Sequence, residues 1–191
     1  DLGLPDIKYH NHDIKLVKDS QQKSDYTEVL NTPDDSVLRK IMRLRQCIND
    51  PNLMDFVSDR KAFNEYTKNL KNEDAELVIK CLHLCKIMSN IPQSDKLIIF
   101  TQWRSSQVLL ESVLSSNRME NIGEILSYHG GLSLVEKKDI LDKFEKNNTT
   151  RVLLITINSG GVGLNLVSAN HAIIFEPCWT NAIERQAIDR V

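Results

Sequence analysis

The sequence predicts an α/β fold in which helices cover a parallel β-sheet, preceded by a mostly helical segment. Two short runs, KLIIFT at 96–101 and RVLLIT at 151–156, are continuously apolar and have the length of β-strands. Amphipathic helical patterns lie between them. Strands that are apolar on both faces and alternate with helices are typical of parallel sheets, because the connecting helices cover both faces.

Two further strands and three helices complete this α/β pattern. The expected positions are 124–129 and 171–176 for the strands, and 107–114, 133–146 and 180–191 for the helices. Ser133 followed by Glu136 matches a capping box, which predicts where the second of these helices begins.

The residues before this unit divide into two parts. We expect residues 1–33 to be a connector, 34–90 a helical segment with three helices, and 91–191 the α/β unit. Within the connector, residues 7–18 alternate weakly between apolar and polar, which predicts one or two edge strands. Asp19 or Ser20 would then cap a short helix.

The composition is that of an ordinary globular chain. Of its 191 residues, 41% are hydrophobic and 26% charged, and the net charge is −2. No apolar run reaches the roughly 20 residues of a membrane-spanning helix, so no membrane partner is expected. The charge excludes a strongly basic module, and any contact with nucleic acid has to come from a local patch or from backbone amides. The chain begins without Met or a signal sequence, and we expect a piece of a longer protein.

The cysteines are more typical of buried core residues than of a metal site. Cys81 and Cys85 lie one helical turn apart, with His83 between them. This spacing fits part of a metal site, but it also fits small apolar residues on a buried helix face. No second Cys/His pair completes a ligand set, so we expect no metal site and a reducing compartment.

A glycine-rich stretch follows the strand at 151–156. Gly160, Gly161 and Gly163 would let backbone N–H groups approach an anion, or would form a tight turn between two strands. The residues alone favour neither the anion site nor the tight turn. The stretch lacks the third glycine and the following helix of a dinucleotide-binding fingerprint, and the sequence contains no GxxxxGK[ST] phosphate loop. The chain is therefore not expected to hold a nucleoside triphosphate and its magnesium ion unaided.

The order of the motifs resembles one family closely. KLIIFTQW, SYHGGLS, VLLITINSGGVGLNLVSANHAIIFEPCW and IERQAIDRV are similar, in this order, to motifs of the second RecA-like lobe of Swi/Snf-type ATPases. These superfamily-two motors translocate on double-stranded DNA. Upstream, LRKIMRLRQCINDPNL resembles the stretch that such proteins carry between their lobes. The short motifs are also similar to those of viral global transactivators of this family.

The resemblance implies a RecA-like fold for the α/β unit and a role for each strand-end loop. Gly161, Gly163 and Asn165 would line ATP. The residues implied to contact DNA are Gln102, Trp103, His129, Gly130, Thr156, Ser159, Gly160 and Trp179. Two alternatives stay open: Trp103 as a core residue, and Trp179 as a lid over the sheet edge.

The resemblance also implies that the last helix carries catalytic residues. In the family this helix supplies a glutamine and two arginines spaced QxxxRxxR, and the arginines reach the γ-phosphate held by the first lobe. Gln186 and Arg190 match the first two positions, and the third falls beyond Val191. An arginine there offsets the charge that develops in phosphoryl transfer. The alternative is that Arg190 is a solvated cation at a helix end.

The implied function is that of the second lobe of an ATP-dependent motor on double-stranded DNA, of the chromatin-remodelling type. Its partners would be duplex DNA, the first lobe of the same protein, and chromatin or transcription proteins. The first lobe would hold most of the ATP and Mg²⁺, so the chain alone is expected to be inactive. The location would be the nucleus, or the host nucleus for a viral protein. Two alternatives are a non-catalytic interaction module derived from such a motor and a strand-separating helicase.

Overall fold

The centre of the molecule is a four-stranded parallel sheet. The computed structural model describes residues 8–18, 20–33, 36–54, 60–70, 77–116, 119, 122–159, 164 and 166–191. The strands are β1 (Leu97–Thr101), β2 (Glu124–Tyr128), β3 (Thr150–Thr156) and β4 (His171–Ile174). Their order is β2-β3-β1-β4, and every neighbouring pair is parallel. The predicted parallel sheet is therefore confirmed.

Helices precede the sheet and connect its strands. The α-helices of the described residues are α1 (Gln21–Asn31), α2 (Val37–Asn49), α3 (Arg60–Asn69), α4 (Ile79–Ser89), α5 (Arg104–Leu114), α6 (Leu134–Lys146) and α7 (Asn181–Ile188), with a 3-10 helix at Pro51–Met54. The mostly helical first part is confirmed. Within the described ranges, no helix combines the length and the apolar character needed to cross a membrane.

The two faces of the sheet form two apolar clusters. In β1, Leu97 and Ile99 belong to one cluster, and Ile98 and Phe100 to the other. This is the alternation of side chains along a strand. The first cluster includes residues of α3, α4 and α5, and the second includes residues of α6 and α7. Burial on both faces is why the strand sequences are continuously apolar.

The first cluster joins the helical segment to the sheet. Phe63 of α3 and Cys81 of α4 pack in the same cluster as Leu97 and Leu109. Burial raises the pKa of the Cys81 thiol, which stays protonated. Cys81 is therefore a core residue. The division of the chain near residue 90 stays a prediction, and the apolar packing continues across that position.

Local signals decide where two of the helices begin. The Ser133 hydroxyl accepts the Glu136 N–H at 3.3 Å, and the Glu136 carboxylate accepts the Ser133 N–H at 2.8 Å, so the capping box is present. The hydroxyl of Ser20 caps α1. The edge strands expected at 7–18 are wrong, since residues 8–17 have no regular secondary structure. These residues are mostly exposed and gain little of the burial that stabilises a strand.

Gly123 is required by the turn before β2. Its φ is +77°, and a Cβ there would lie 2.7 Å from the Thr149 carbonyl oxygen. We expect Gly123→Ala to lower the free energy of unfolding by about 2 kcal/mol, measured by urea denaturation. Gly130→Ala is the control, because its Cβ would meet the Ser159 hydroxyl at an ordinary 3.5 Å. Equal losses in the two variants would contradict the argument.

Candidate functional site

All four strands end at one edge of the sheet. Thr101, the last residue of β1, pairs with Thr156, the last residue of β3. The ends of β2 and β4 lie within one residue of the same level. The loops after the four strands therefore share this edge, which we call the carboxyl edge. In open α/β sheets, ligands bind at this edge.

The loops after β2 and β3 lie close together. The hydroxyls of Thr156 and Ser159 are hydrogen-bonded to each other at 2.6 Å. Gly130 lies beside them, and a Cβ added to it would come within 3.5 Å of the Ser159 hydroxyl oxygen. The three residues therefore form one small polar surface.

His129 adds a neutral imidazole beside this surface. Its Nδ1 accepts the N–H of Gly131 at 3.2 Å, which assigns the proton of the neutral ring to Nε2. Burial lowers the pKa of His129, and the positive charge of Arg104 lowers it further. At neutral pH the ring is therefore uncharged and can donate one hydrogen bond through Nε2–H.

A buried carboxylate connects the loops after β1 and β4. Glu176 is 2% exposed. One carboxylate oxygen accepts the backbone N–H of Gln102 at 2.7 Å, and the other accepts the side-chain amide of Asn49 at 2.9 Å. The side-chain amide of Gln102 also donates to the Pro177 carbonyl at 3.2 Å. Gln102 is thus held against the β4 loop by both its backbone and its side chain.

Positive charge compensates Glu176. Lys80 of α4 donates to the Asn49 side-chain oxygen at 2.5 Å and lies 4.3 Å from the centre of the Phe175 ring. Burial raises the pKa of Glu176, while the charges of Lys80 and Arg45 act in the opposite direction. Burial lowers the pKa of Lys80, and the Glu176 charge opposes that shift. Each ion therefore offsets part of the desolvation cost of the other.

Both tryptophans lie against one arginine. The guanidinium carbon of Arg45, on α2, is 5.4 Å from the ring centre of Trp103 and 4.5 Å from that of Trp179. Trp179 is 55% exposed, and Trp103 is half-buried and outside both apolar clusters. Trp103 is thus not a core residue. Trp179 lies over Arg45 at the rim of the carboxyl edge.

The glycine-rich stretch ends beside Arg190. The residues implied to line ATP or DNA here lie outside the described residues: Gly160, Gly161, Gly163 and Asn165. Leu166, directly after the stretch, donates its N–H to the Arg190 carbonyl at 2.8 Å. The end of the stretch and the turn after α7 are therefore neighbours.

Gln186 and Arg190 differ in their setting. Gln186 is exposed on α7, but the helix ends at Ile188, and Arg190 lies in the following turn. The expected continuation of this helix to 191 is therefore wrong. The Arg190 Nε donates to the Gln186 carbonyl at 2.9 Å. Basic side chains commonly satisfy the last carbonyls of a helix in this way.

Four residues of the carboxyl edge carry no sequence prediction: Arg45, Asn49, Lys80 and Glu176. The partners Asn49 and Glu176 are 127 positions apart, which no local pattern covers. One sequence signal could have identified Glu176. It ends an apolar run, and a charged residue at a buried position needs a partner.

As for metal ions, no group of three or more His, Cys, Asp or Glu side chains able to hold one occurs in the described part of the chain.

The parallel sheet, with helices on both faces and polar loops along its carboxyl edge, forms an α/β lobe, and its similarity to a solved ATPase domain identifies the fold as RecA-like. Residues 79–191, more than half of the chain, match the family described as helicase conserved C-terminal domain. The chain belongs to this family. The resemblance to the second lobe of Swi/Snf-type ATPases is confirmed.

Curated relatives match part of this chain, and the matched region is a small part of their own length. The uncharacterized ATP-dependent helicase C23E6.02 of Schizosaccharomyces pombe is 43% identical over 111 residues, which are 58% of this chain and 10% of the relative. The chain spans about a tenth of the length of the curated relatives it matches.

Two solved structures share the fold. The C-terminal part of the Fun30 ATPase domain has a TM-score of 0.69 at 21% identity, covering 88% of this chain and 75% of that one. The Sulfolobus solfataricus SWI2/SNF2 ATPase core in complex with double-stranded DNA has a TM-score of 0.62 at 22% identity, covering 88% of this chain and 35% of that one.

Proposed function

We propose that the chain is the second lobe of an ATP-dependent motor that translocates on double-stranded DNA, of the chromatin-remodelling type. Family membership and the similarity to an ATP-dependent helicase support ATP as its cofactor. The structural neighbour in complex with double-stranded DNA supports a duplex as its partner. Arg190, in the turn after α7, is its arginine finger, and Gln186 on α7 assists.

One contact carries the catalytic part of this proposal. The N–H of Leu166 donates to the Arg190 carbonyl at 2.8 Å, so the residue directly after the glycine-rich stretch lies beside Arg190. The resemblance implies that Gly161 and Gly163 lie against ATP, and we assign the Arg190 guanidinium to the same phosphate chain. A guanidinium at the γ-phosphate neutralises charge that develops as the phosphoryl group is transferred.

The DNA-facing part of the proposal rests on the carboxyl edge. Its donors are uncharged: the His129 Nε2–H, whichever of the Thr156 and Ser159 hydroxyls does not donate to the other, and the backbone N–H of Gly130. The resemblance adds the backbone N–H of Gly160. Uncharged donors of this kind bind phosphate oxygens and position a duplex without sequence selection. A chain with a net charge of −2 can bind DNA through such local contacts. Gln102, Trp103 and Trp179 extend the surface towards β4.

The remaining parts of the active site belong to the first lobe of the same protein in this proposal. The sequence has no GxxxxGK[ST] phosphate loop, and we assign that loop, the magnesium ion and most ATP contacts to the first lobe. Asn165 with the two glycines lines the other side of the nucleotide. The chain alone is then inactive. We propose the nucleus as its location, with chromatin or transcription proteins as further partners.

ATP hydrolysis by the full-length protein and by the 191-residue chain tests the proposal. We expect duplex DNA to stimulate the full-length protein and the chain alone to show no turnover, because half of the cleft is absent. Turnover by the pure chain would contradict the shared active site. No hydrolysis by the full-length protein with any DNA would favour the interaction module. Displacement of one strand from a tailed duplex would replace the translocase with a strand-separating helicase.

A further inference from the structure

α2 reaches the carboxyl edge through Arg45. The guanidinium lies between two aromatic rings, with its central carbon 5.4 Å from the Trp103 ring centre and 4.5 Å from that of Trp179. A guanidinium over an aromatic face is attracted by the negative charge of the π-system, and tryptophan gives the strongest such contact. One cation therefore binds the loop after β1 and the loop after β4.

The hydrogen bonds of Arg45 fit the same arrangement. One terminal nitrogen, Nη2, donates to the Pro177 carbonyl, in the same loop as Trp179. The other, Nη1, is buried and has no hydrogen-bond partner within the described residues. A buried N–H without an acceptor is costly. The two ring faces, the Pro177 carbonyl and the charge of Glu176 therefore hold this side chain in place. The ring contacts form only when both loops are positioned as observed.

The backbones of the two loops have a separate connection. Glu176 accepts the N–H of Gln102 at 2.7 Å, which aligns the strand ends but does not touch either indole ring. Among the residues described above, Arg45 is the one whose side chain lies against both rings. The orientation of the two tryptophans thus depends on a residue of the upstream helical segment.

We propose that Arg45 is a positioning residue, which holds Trp103 and Trp179 in the arrangement in which the carboxyl edge meets DNA. α2 thereby becomes part of the DNA-binding apparatus without touching DNA itself. The effect on DNA rests on the proposed function, whereas the effect on the tryptophans does not.

The chain supplies its own optical probe for this proposal. Trp103 and Trp179 are the two tryptophans of the 191-residue sequence. Tryptophan fluorescence therefore reports on the Arg45 site and on nothing else in the chain. Emission wavelength and acrylamide quenching measure how the rings are packed and how exposed they are.

The experiment compares three variants of the 191-residue chain. Arg45→Met keeps an apolar stem and loses the guanidinium, while Arg45→Lys keeps the charge but loses the planar fork that stacks on rings. Lys40→Met is the matched control, because it removes a charge from the same helix roughly 140° around the axis. Fluorescence is measured together with the anisotropy of a labelled duplex and far-ultraviolet circular dichroism.

We expect Arg45→Met to shift the tryptophan emission, to raise acrylamide quenching and to weaken duplex binding about fivefold, the scale of one lost cation–π contact. Arg45→Lys should fall between Arg45→Met and the native chain. Lys40→Met should match the native chain in every measurement.

Unchanged emission and quenching in Arg45→Met would overturn the proposal. Altered fluorescence with native duplex affinity would overturn its DNA part and leave a structural contact. If the native chain binds no duplex, the proposed function has failed, and fluorescence still decides whether Arg45 places the tryptophans. If Arg45→Met loses its helical signal, Arg45→Lys decides by the same two measurements.

Discussion

Replacing Arg190 by alanine is expected to reduce DNA-stimulated ATP turnover of the full-length protein about a thousandfold. The affinity for ATP should change little, because most ATP contacts belong to the first lobe. The physical reason is that the guanidinium meets charge that develops during phosphoryl transfer and is largely absent in the bound substrate. Steady-state hydrolysis with saturating duplex measures the loss, and equilibrium binding of ATP measures the affinity.

Two further variants distinguish the loss of the Arg190 guanidinium from a general loss of positive charge. Arg185, exposed on α7, is the control, and Arg185→Ala should keep native turnover. Arg190→Lys keeps the charge without the planar fork and should recover only part of the rate. Native turnover in Arg190→Ala would leave Arg190 as a helix-end cation that donates to the Gln186 carbonyl.

Glu176→Ala is expected to lower the free energy of unfolding by about 3 kcal/mol, because it leaves buried groups without partners. The Gln102 N–H and the Asn49 amide lose their acceptor, and Lys80 loses its compensating charge. Urea denaturation measures the loss. Glu28→Ala, at an exposed position of α1, should change stability by less than about 0.5 kcal/mol. Similar small losses in both variants would show that Glu176 does not hold the loops.

The pH dependence of stability should depend on the same residue. Burial raises the pKa of Glu176 above its ordinary value of 4.5 in the folded chain, so the folded state keeps this proton to higher pH than the unfolded state. The part of the stability that comes from binding this proton is therefore complete below about pH 4.5 and is lost as pH rises through the raised pKa, whereas the hydrogen bonds from Gln102 and Asn49 remain. Glu176→Gln removes the titrating group and should flatten this part of the stability curve.

The sheet and the starts of α1 and α6 were predictable because their signals are local, whereas α5 begins at Arg104, before the expected residue 107. Continuous apolar runs gave β1 and β3, and the Ser133–Glu136 box gave the start of α6. The placement of the strand-end residues followed from the topology, since parallel strands bring their carboxyl ends to one edge. His129 and Ser159 could thus be assigned to one surface from sequence alone.

The contacts at this edge were not predictable, because they join distant parts of the chain. Arg45 reaches Pro177 across 132 positions, and no periodicity signals such a contact. The end of α7 was also missed, because the helical pattern continues beyond Ile188 while Arg190 folds back onto the Gln186 carbonyl. The edge strands expected near residue 12 failed for another reason, since weak alternation does not create a partner strand.

The continuity of the apolar core across α4 and β1 has a mechanical consequence. Because Cys81 of α4 and Leu97 of β1 pack in one cluster, moving α4 away from the sheet would expose apolar surface, and we expect the two elements to move together. In the proposed motor, closure of the two lobes on ATP would then carry α4 together with β1. Cargo attached to the solvent side of α4 would be displaced along with the sheet.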